Sequence, residues 1–418
     1  MVNVRYTPRH SGTTVKVARQ QEPTTEEQPR ASRMQIAIVS GTALALLAIV
    51  TVIARQAMPA GVRTCTTGTS ASGCTGTSAN PAGSVPLTSI LSVRVLRGGR
   101  YSFDGPSAVT AGGALWVTNV LGNTVTRVAQ AGAGRAESLA AGYGLDGPNA
   151  LAIGNGQVWI ANVPANSITE VNAATGRLIR ILSSGYGFAS PYALLADGTR
   201  LWVADAASDS VTEIDADNGN LLRILGGGRY HFDNPCALAL AGGRLWVANS
   251  GADSVTELNA ITGAWLATLA VGYRFSDPAA LAVEDGQLWV ANEGGSTVTV
   301  LSVGTGRVIR VLAGRRYGLD SPAAVTADGG VIWVANSLGN SVTEIEAQSG
   351  ALVRVLSGRA YYFRDPSGIA ASGQTLWITS LSGNWVTRLV IGRPYAAGSA
   401  APPSRSARAG RTSPAGTG

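Results

Sequence analysis

The chain has 418 residues, 45% of them hydrophobic and 14% charged, with 53 glycines, three cysteines and a formal net charge of +7. So few cysteines exclude a disulfide-dense scaffold. The placement of the charge excludes a basic nucleic-acid groove on the fold: residues 87–392 hold 20 arginines against 22 acids, whereas the flanks hold 12 basic residues and 3 acidic ones.

Residues 1–33 carry Arg5, Arg9, Lys16, Arg19, Arg30 and Arg33 with no apolar periodicity, which predicts a disordered leader. Residues 34–54, MQIAIVSGTALALLAIVTVIA, run 21 residues without a charge. That matches the ~20 residues a transmembrane helix needs, and the basic leader orients it with the N-terminus in the cytoplasm and the rest of the chain outside. A cleaved signal peptide is the alternative, with Val52-Ile53-Ala54 as its small-residue site. Residues 55–86 read as a flexible tether rich in Thr, Ser and Gly. Its Cys65 and Cys74 are close enough in sequence to close a small disulfide loop outside the membrane, and two thiols without nearby histidines leave a zinc site half empty. Residues 393–418, rich in Pro, Ser, Ala and Gly with four arginines, predict a disordered basic tail suited to anionic lipid or another acidic polymer.

Residues 87–392 are organised by repetition. Trp116, Trp159, Trp202, Trp246, Trp289, Trp333 and Trp377 follow one another at 43 or 44 residues. A second series keeps step with them: Tyr101, Tyr143, Tyr186, Tyr230, Tyr273, Tyr317 and Tyr361, each followed five residues later by Pro. A period of ~40–50 residues made of short β-like runs is the mark of a propeller with one four-stranded blade per repeat, so the fold class is all-β, a seven-bladed β-propeller preceded by one transmembrane helix. In the fourth repeat the runs and turns place strand A at 237–241, B at 245–249, C at 254–258 and D at 265–269. Strand B is apolar on both faces, which suits a blade between two neighbours, and its tryptophan is expected to pack there with the indole N–H on a carbonyl. The repeat region begins with SILSVRVL, a D-like run, and ends with WVTRLV, a C-like run. The last blade is therefore expected to take strands A to C from the C-terminus and D from the N-terminus.

The unit IWVANSLGNSVTEIEAQSGALVRVL, from Ile332 on, resembles the repeats of bacterial YVTN and NHL-type propellers and is similar to those of the streptogramin B (virginiamycin B) lyase family. The lyase resemblance implies a magnesium-assisted elimination with a catalytic histidine and a neighbouring acid. Within the repeats that histidine can only be His231, in the fourth Tyr-x-Phe step. Propellers similar to gluconolactonases would need carboxylates converging on the central channel. The channel runs PSAVTA, PNALAI, PYALLA, PCALAL, PAALAV, PAAVTA and PSGIAA contain no Asp, Glu or His, so no metal is expected there.

The polar positions common to all repeats read as structural. Thr126, Thr169, Thr212, Thr256, Thr299, Thr343 and Thr387 mark strand C. Asn119, Asn162, Asp205, Asn249, Asn292 and Asn336, with Ser380 in the last repeat, end strand B and are expected to cap the next turn through local backbone. Equivalence breaks down just after the prolines, at Ser107, Asn149, Tyr192, Cys236, Ala279, Ala323 and Ser367. In a meander the D–A and B–C loops emerge on one side, so these positions ring the central mouth of that face. The expected function is a membrane-anchored binding or scaffold module for a protein or cell-envelope polymer, with Asn149 and Tyr192 at the contact and the seven tyrosines offering polar handles. The alternative is the lyase-like enzyme.

Overall fold

A computed structural model describes residues 89–129 and 135–392. The expected leader, membrane segment, tether and tail, with Cys65 and Cys74, lie outside the described residues. Among those residues no helix is long and apolar enough to cross a membrane.

The described residues form seven four-stranded antiparallel sheets. Blades 1 to 6 are continuous in sequence, at 106–139, 148–182, 191–226, 235–269, 278–312 and 322–356. In blade 4 the strands are Pro235–Ala241, Arg244–Asn249, Ser254–Asn259 and Trp265–Leu269, in spatial order A-B-C-D. Blade 7 is the composite that the repeat phase requires. Its strands A to C are Pro366–Ser372, Thr375–Ser380 and Trp385–Gly392, and Ser89–Leu96 pairs antiparallel with the last of these as strand D, from Ser89 opposite Gly392 to Leu96 opposite Val386, with one shift of register between Ile90 and Ser92. The A strands of neighbouring blades touch around the centre, and each D strand is an outer edge.

The hydrophobic core is divided into seven clusters, each joining two neighbouring blades. Trp159 packs with Ile168 and Leu182 of its own blade and with Leu201, Val203 and Ile214 of the next. Strand B is buried on both faces because a blade is covered on both sides. One part of the tryptophan expectation is corrected: the indole N–H groups of Trp116, Trp159, Trp246 and Trp289 find no protein acceptor. The rings point into aliphatic side chains of the next blade, where no carbonyl is turned toward them. Cation–π contact supplements the packing in two blades, where Arg127 and Arg388 lie over Trp116 and Trp377 at 5.8 and 5.3 Å.

Two polar devices recur with the blades. In the first, the threonine of strand C donates to the carbonyl of the tyrosine in the preceding D–A loop, at 2.7 to 3.2 Å in six blades, while in blade 3 Thr212 lies 3.4 Å from the Tyr186 carbonyl. In five blades the asparagine ending strand B donates in turn to that threonine, at 2.9 to 3.1 Å. Capping of the next turn's backbone is therefore not the main work of these asparagines. They bond strand C hydroxyls, because strand pairing sets the last residue of B beside the start of C and the threonine two residues further on.

In the second device the last residue of each B–C turn bonds the next blade. Asn384, Asn123, Asn166, Asp209, Asp253 and Asn340 accept the N–H of Gly105, Gly147, Ser190, Asn234, Asp277 and Asp365 at 2.6 to 2.8 Å. Ser296, one atom shorter, reaches Ser321 at 3.4 Å. Donors and acceptors alike have φ near +50 to +60°, which explains the preference for Gly, Asn, Asp and Ser at both. The fourteen residues close a ring of hydrogen bonds on the loop face.

Candidate functional site

The first residue of strand A in every blade is the proline, so the residue after it faces the centre at the mouth of the loop face. Ser107, Asn149, Tyr192, Cys236, Ala279, Ala323 and Ser367 are all half-buried there. At three positions, the two serines and the cysteine, the ring is stitched to the next proline. The Cys236 thiol donates to the Pro278 carbonyl at 2.9 Å, and the Ser367 and Ser107 hydroxyls donate to the Pro106 and Pro148 carbonyls at 3.3 and 3.5 Å. Asn149 and Tyr192 sit side by side, the amide close enough to act on the phenol. Burial pushes the Tyr192 hydroxyl up to about 12, helped by Cys236, Glu293 and Asp277 and opposed by Asn149. Burial likewise pushes the Cys236 thiol up to about 12, so it is a neutral packing group and not a nucleophile.

The structure adds carboxylates to this mouth. Glu293 follows the last residue of strand B in blade 5, where other blades have Val120, Val163, Ala206, Ser250, Ser337 and Leu381. Its carboxylate accepts the Ser321 hydroxyl at 2.8 Å. Asp277 and Asp365 occupy the left-handed position before the proline, and Asp365 accepts the Ser382 hydroxyl at 2.9 Å. All three carboxyls are raised, by burial first. Asp253 adds to the effect on Asp277, and Asp277 and Asp365 add to that on Glu293. The shift counts most for Asp365, which is 5% exposed, and least for Asp277, which is largely open to solvent. The mouth is thus acidic on the side of blades 5 to 7 and neutral and polar at blades 1 to 3. Between blades 5 and 6, on the same loop face and reaching the outer strand at Val355, an open cavity of about 610 Å³ is lined by Gly295, Ser296, Thr297, Arg315, Asp320 and Ser341 among others. It opens where blade 5 has Gly294, Gly295 and Ser296, while blades 1 and 6 have Leu, Gly and Asn.

The seven tyrosines lie between blades. Tyr101, Tyr230 and Tyr317 are 3 to 4% exposed, and the others are half-buried. In five blades the ring stacks on the phenylalanine two residues on, at 5.3 to 5.6 Å. The hydroxyls of Tyr143, Tyr186 and Tyr317 donate to the carbonyls of Gly176, Gly219 and Gly350 in the C–D turns, so they turn away from the loop face on which polar handles were expected. The physical reason is the length of the phenol, which spans the groove between blades from one loop set to the other.

His231 is exposed, has φ of +54° and lies 5.8 Å from the ring of Trp265 on the outer strand of blade 4. It is the one histidine among the described residues, and it stands at the rim, away from the mouth and its carboxylates. Those residues also do not fit a magnesium ion. Glu293 and Asp365 are committed to separate serines, and among the described residues no three Asp, Glu, His or Cys side chains converge closely enough to hold a metal. Strand A does reach acids at its other end, Asp197, Glu284 and Asp328, beyond the runs read from sequence. They close the A–B turns on the opposite side of the disc.

No family model and no curated protein matches the chain. Solved structures with the same fold include a streptogramin B lyase, 17% identical, covering 72% of this chain and 98% of the other with a TM-score of 0.61. A catalytically inactive histidine-to-alanine variant of virginiamycin B lyase from Staphylococcus aureus with quinupristin is 16% identical, with coverages of 72% and 99% and a TM-score of 0.60. The WD40 repeats of RRP9 are 12% identical, with coverages of 73% and 99% and a TM-score of 0.59. Identities this low establish the seven-bladed fold that this chain shares with them.

Proposed function

We propose that the protein is a binding module, held at the membrane by residues 34–54, whose propeller docks a protein or cell-envelope polymer on the loop face. The observation that carries this reading is the loss of sevenfold equivalence around the mouth. Most of each blade repeats the same packing and hydrogen bonds, as a scaffold requires; at the mouth several departures fall together, since Asn149, Tyr192, Glu293 and Asp365 each differ from most of their counterparts. An aromatic and an amide facing a group of carboxylates suit a partner that brings a cationic group and a flat polar one. The lyase-like reading has the fold in its favour, but His231 stands at the outer rim against Trp265, away from the carboxylates of the mouth.

Replacing Asn149 and Tyr192 together by Ala should weaken, about tenfold or more, binding of whatever envelope component the purified propeller captures, with the circular dichroism spectrum unchanged. Equal affinity would move the site off the mouth. The anchored topology has its own check: protease added to intact cells should cut the tether near Thr67, and cutting only after lysis would reverse the orientation.

A further inference from the structure

Asp205 breaks the polar relay of its blade. It is 0% exposed, and it stands where blades 1, 2, 4, 5 and 6 have asparagine. An asparagine gives a proton to the strand C threonine, which leaves the threonine's own proton for the tyrosine carbonyl of the D–A loop. An ionised aspartate has no proton to give. In blade 3 the Thr212 hydroxyl is therefore turned to the Asp205 carboxylate at 2.8 Å and lies 3.4 Å from the Tyr186 carbonyl, the longest of the seven equivalent contacts. The other carboxylate oxygen of Asp205 is buried with no side-chain partner.

We propose that Asp205 is a pH-sensitive latch on the D–A loop 183–190, which leads directly into Tyr192. With a proton on its carboxyl, Asp205 donates to Thr212, Thr212 donates to Tyr186, and the loop is held as in the other blades. Without that proton, Thr212 is drawn to the carboxylate and the Tyr186 carbonyl loses its donor. The titration lies in the neutral range because burial pushes the carboxyl up to about 7, against the Thr212 hydroxyl and the Ala189 N–H. Among the described residues no cation is bonded to it. The charged groups on the elements around it have partners elsewhere: Glu213 with Arg200 and Arg223, Asp209 with the N–H of Asn234, and Asp215 with the N–H groups of Asp217 and Asn218. Tyr186 donates its hydroxyl to Gly219, and Asp197 stands at the far end of strand A. That the latch governs partner docking rests on the mouth being the docking site; the latch itself does not.

Its test needs no partner. A carboxyl raised in the folded state contributes stability that is complete below its unfolded value near ~4 and is lost as pH rises to its folded value. The melting temperature of Asp205→Asn should therefore gain on that of the parent by several degrees between about pH 4 and 7, with a constant gap above. Amide exchange in 186–192, corrected for intrinsic rates, should speed up at least about threefold from pH 5 to 8 in the parent and stay flat in Asp205→Asn. Thr212→Val should expose the loop at both pH values while keeping the pH dependence of the melting temperature. Parallel melting profiles for parent and Asp205→Asn, or loop exchange that is equally flat in both, would overturn the proposal. Loop exchange that responds as stated while Asn149 and Tyr192 prove irrelevant to binding would retain the latch and remove only its link to docking.

Discussion

Removal of Ser89–Leu96 is expected to lower the melting temperature of the propeller by about 10 °C or more. These eight residues are the outer strand of blade 7 and pair along the length of Trp385–Gly392. Their loss unpairs the backbone of that strand and exposes Val386, Leu389 and Ile391, now 0 to 3% exposed, along with the packing that Leu96 makes against Tyr101, Phe103 and Trp377 at the joint with blade 1. At ~1 kcal/mol per net hydrogen bond and up to ~2 kcal/mol per large apolar side chain, the loss is at least about 5 kcal/mol even if the exposed side chains repack in part, and a domain of this size shifts by roughly 2 to 4 °C for each of those. Thermal denaturation of residues 87–392 against 97–392 measures it; coincident curves would mean that the ring closes without its outer strand.

The inner side of the same seam gives the second large effect, from Gly368→Ala. Its counterparts in the other blades are all alanine, Ala108, Ala150, Ala193, Ala237, Ala280 and Ala324. At the seam a Cβ on residue 368 would lie 2.4 Å from the Ser107 carbonyl oxygen and 2.9 Å from the Thr379 hydroxyl. Thr379 is itself a departure, because five blades have alanine there. Its hydroxyl accepts the Gly368 N–H at 2.7 Å and lies 3.0 Å from the Ser107 carbonyl. A methyl group would have to displace backbone and break this crossing, at a cost of ~2 to 3 kcal/mol, or a fall of about 5 to 10 °C. A melting temperature within a degree of the parent would show that blades 7 and 1 can part without penalty.

Much of this could be read from the chain. Turn chemistry and alternation gave blade 4 its strands to within two residues, and the D-like start and C-like end required a composite blade. The ring of left-handed positions on the loop face also had a signal, since only Gly, Ser, Asn and Asp precede the seven prolines. The acids of the mouth had none: Asp277, Glu293 and Asp365 belong to different loops and look like solvated loop residues in the sequence. His231 shows the reverse case, chemically suggestive in the chain and remote from the mouth in the fold.

The sequence by itself determined the number of blades, the order of strands within each and the place where the ring closes, because these follow from periods of two and of about forty-three residues that local backbone preference and burial impose. The tertiary structure alone decided which side chains meet: Asp205 with Thr212 against Tyr186 within blade 3, and, across blades, Glu293 with Ser321 and Gly368 against Ser107. The period sets position along the chain, whereas these contacts depend on radius and height within a closed ring, quantities fixed only when seven sheets pack together.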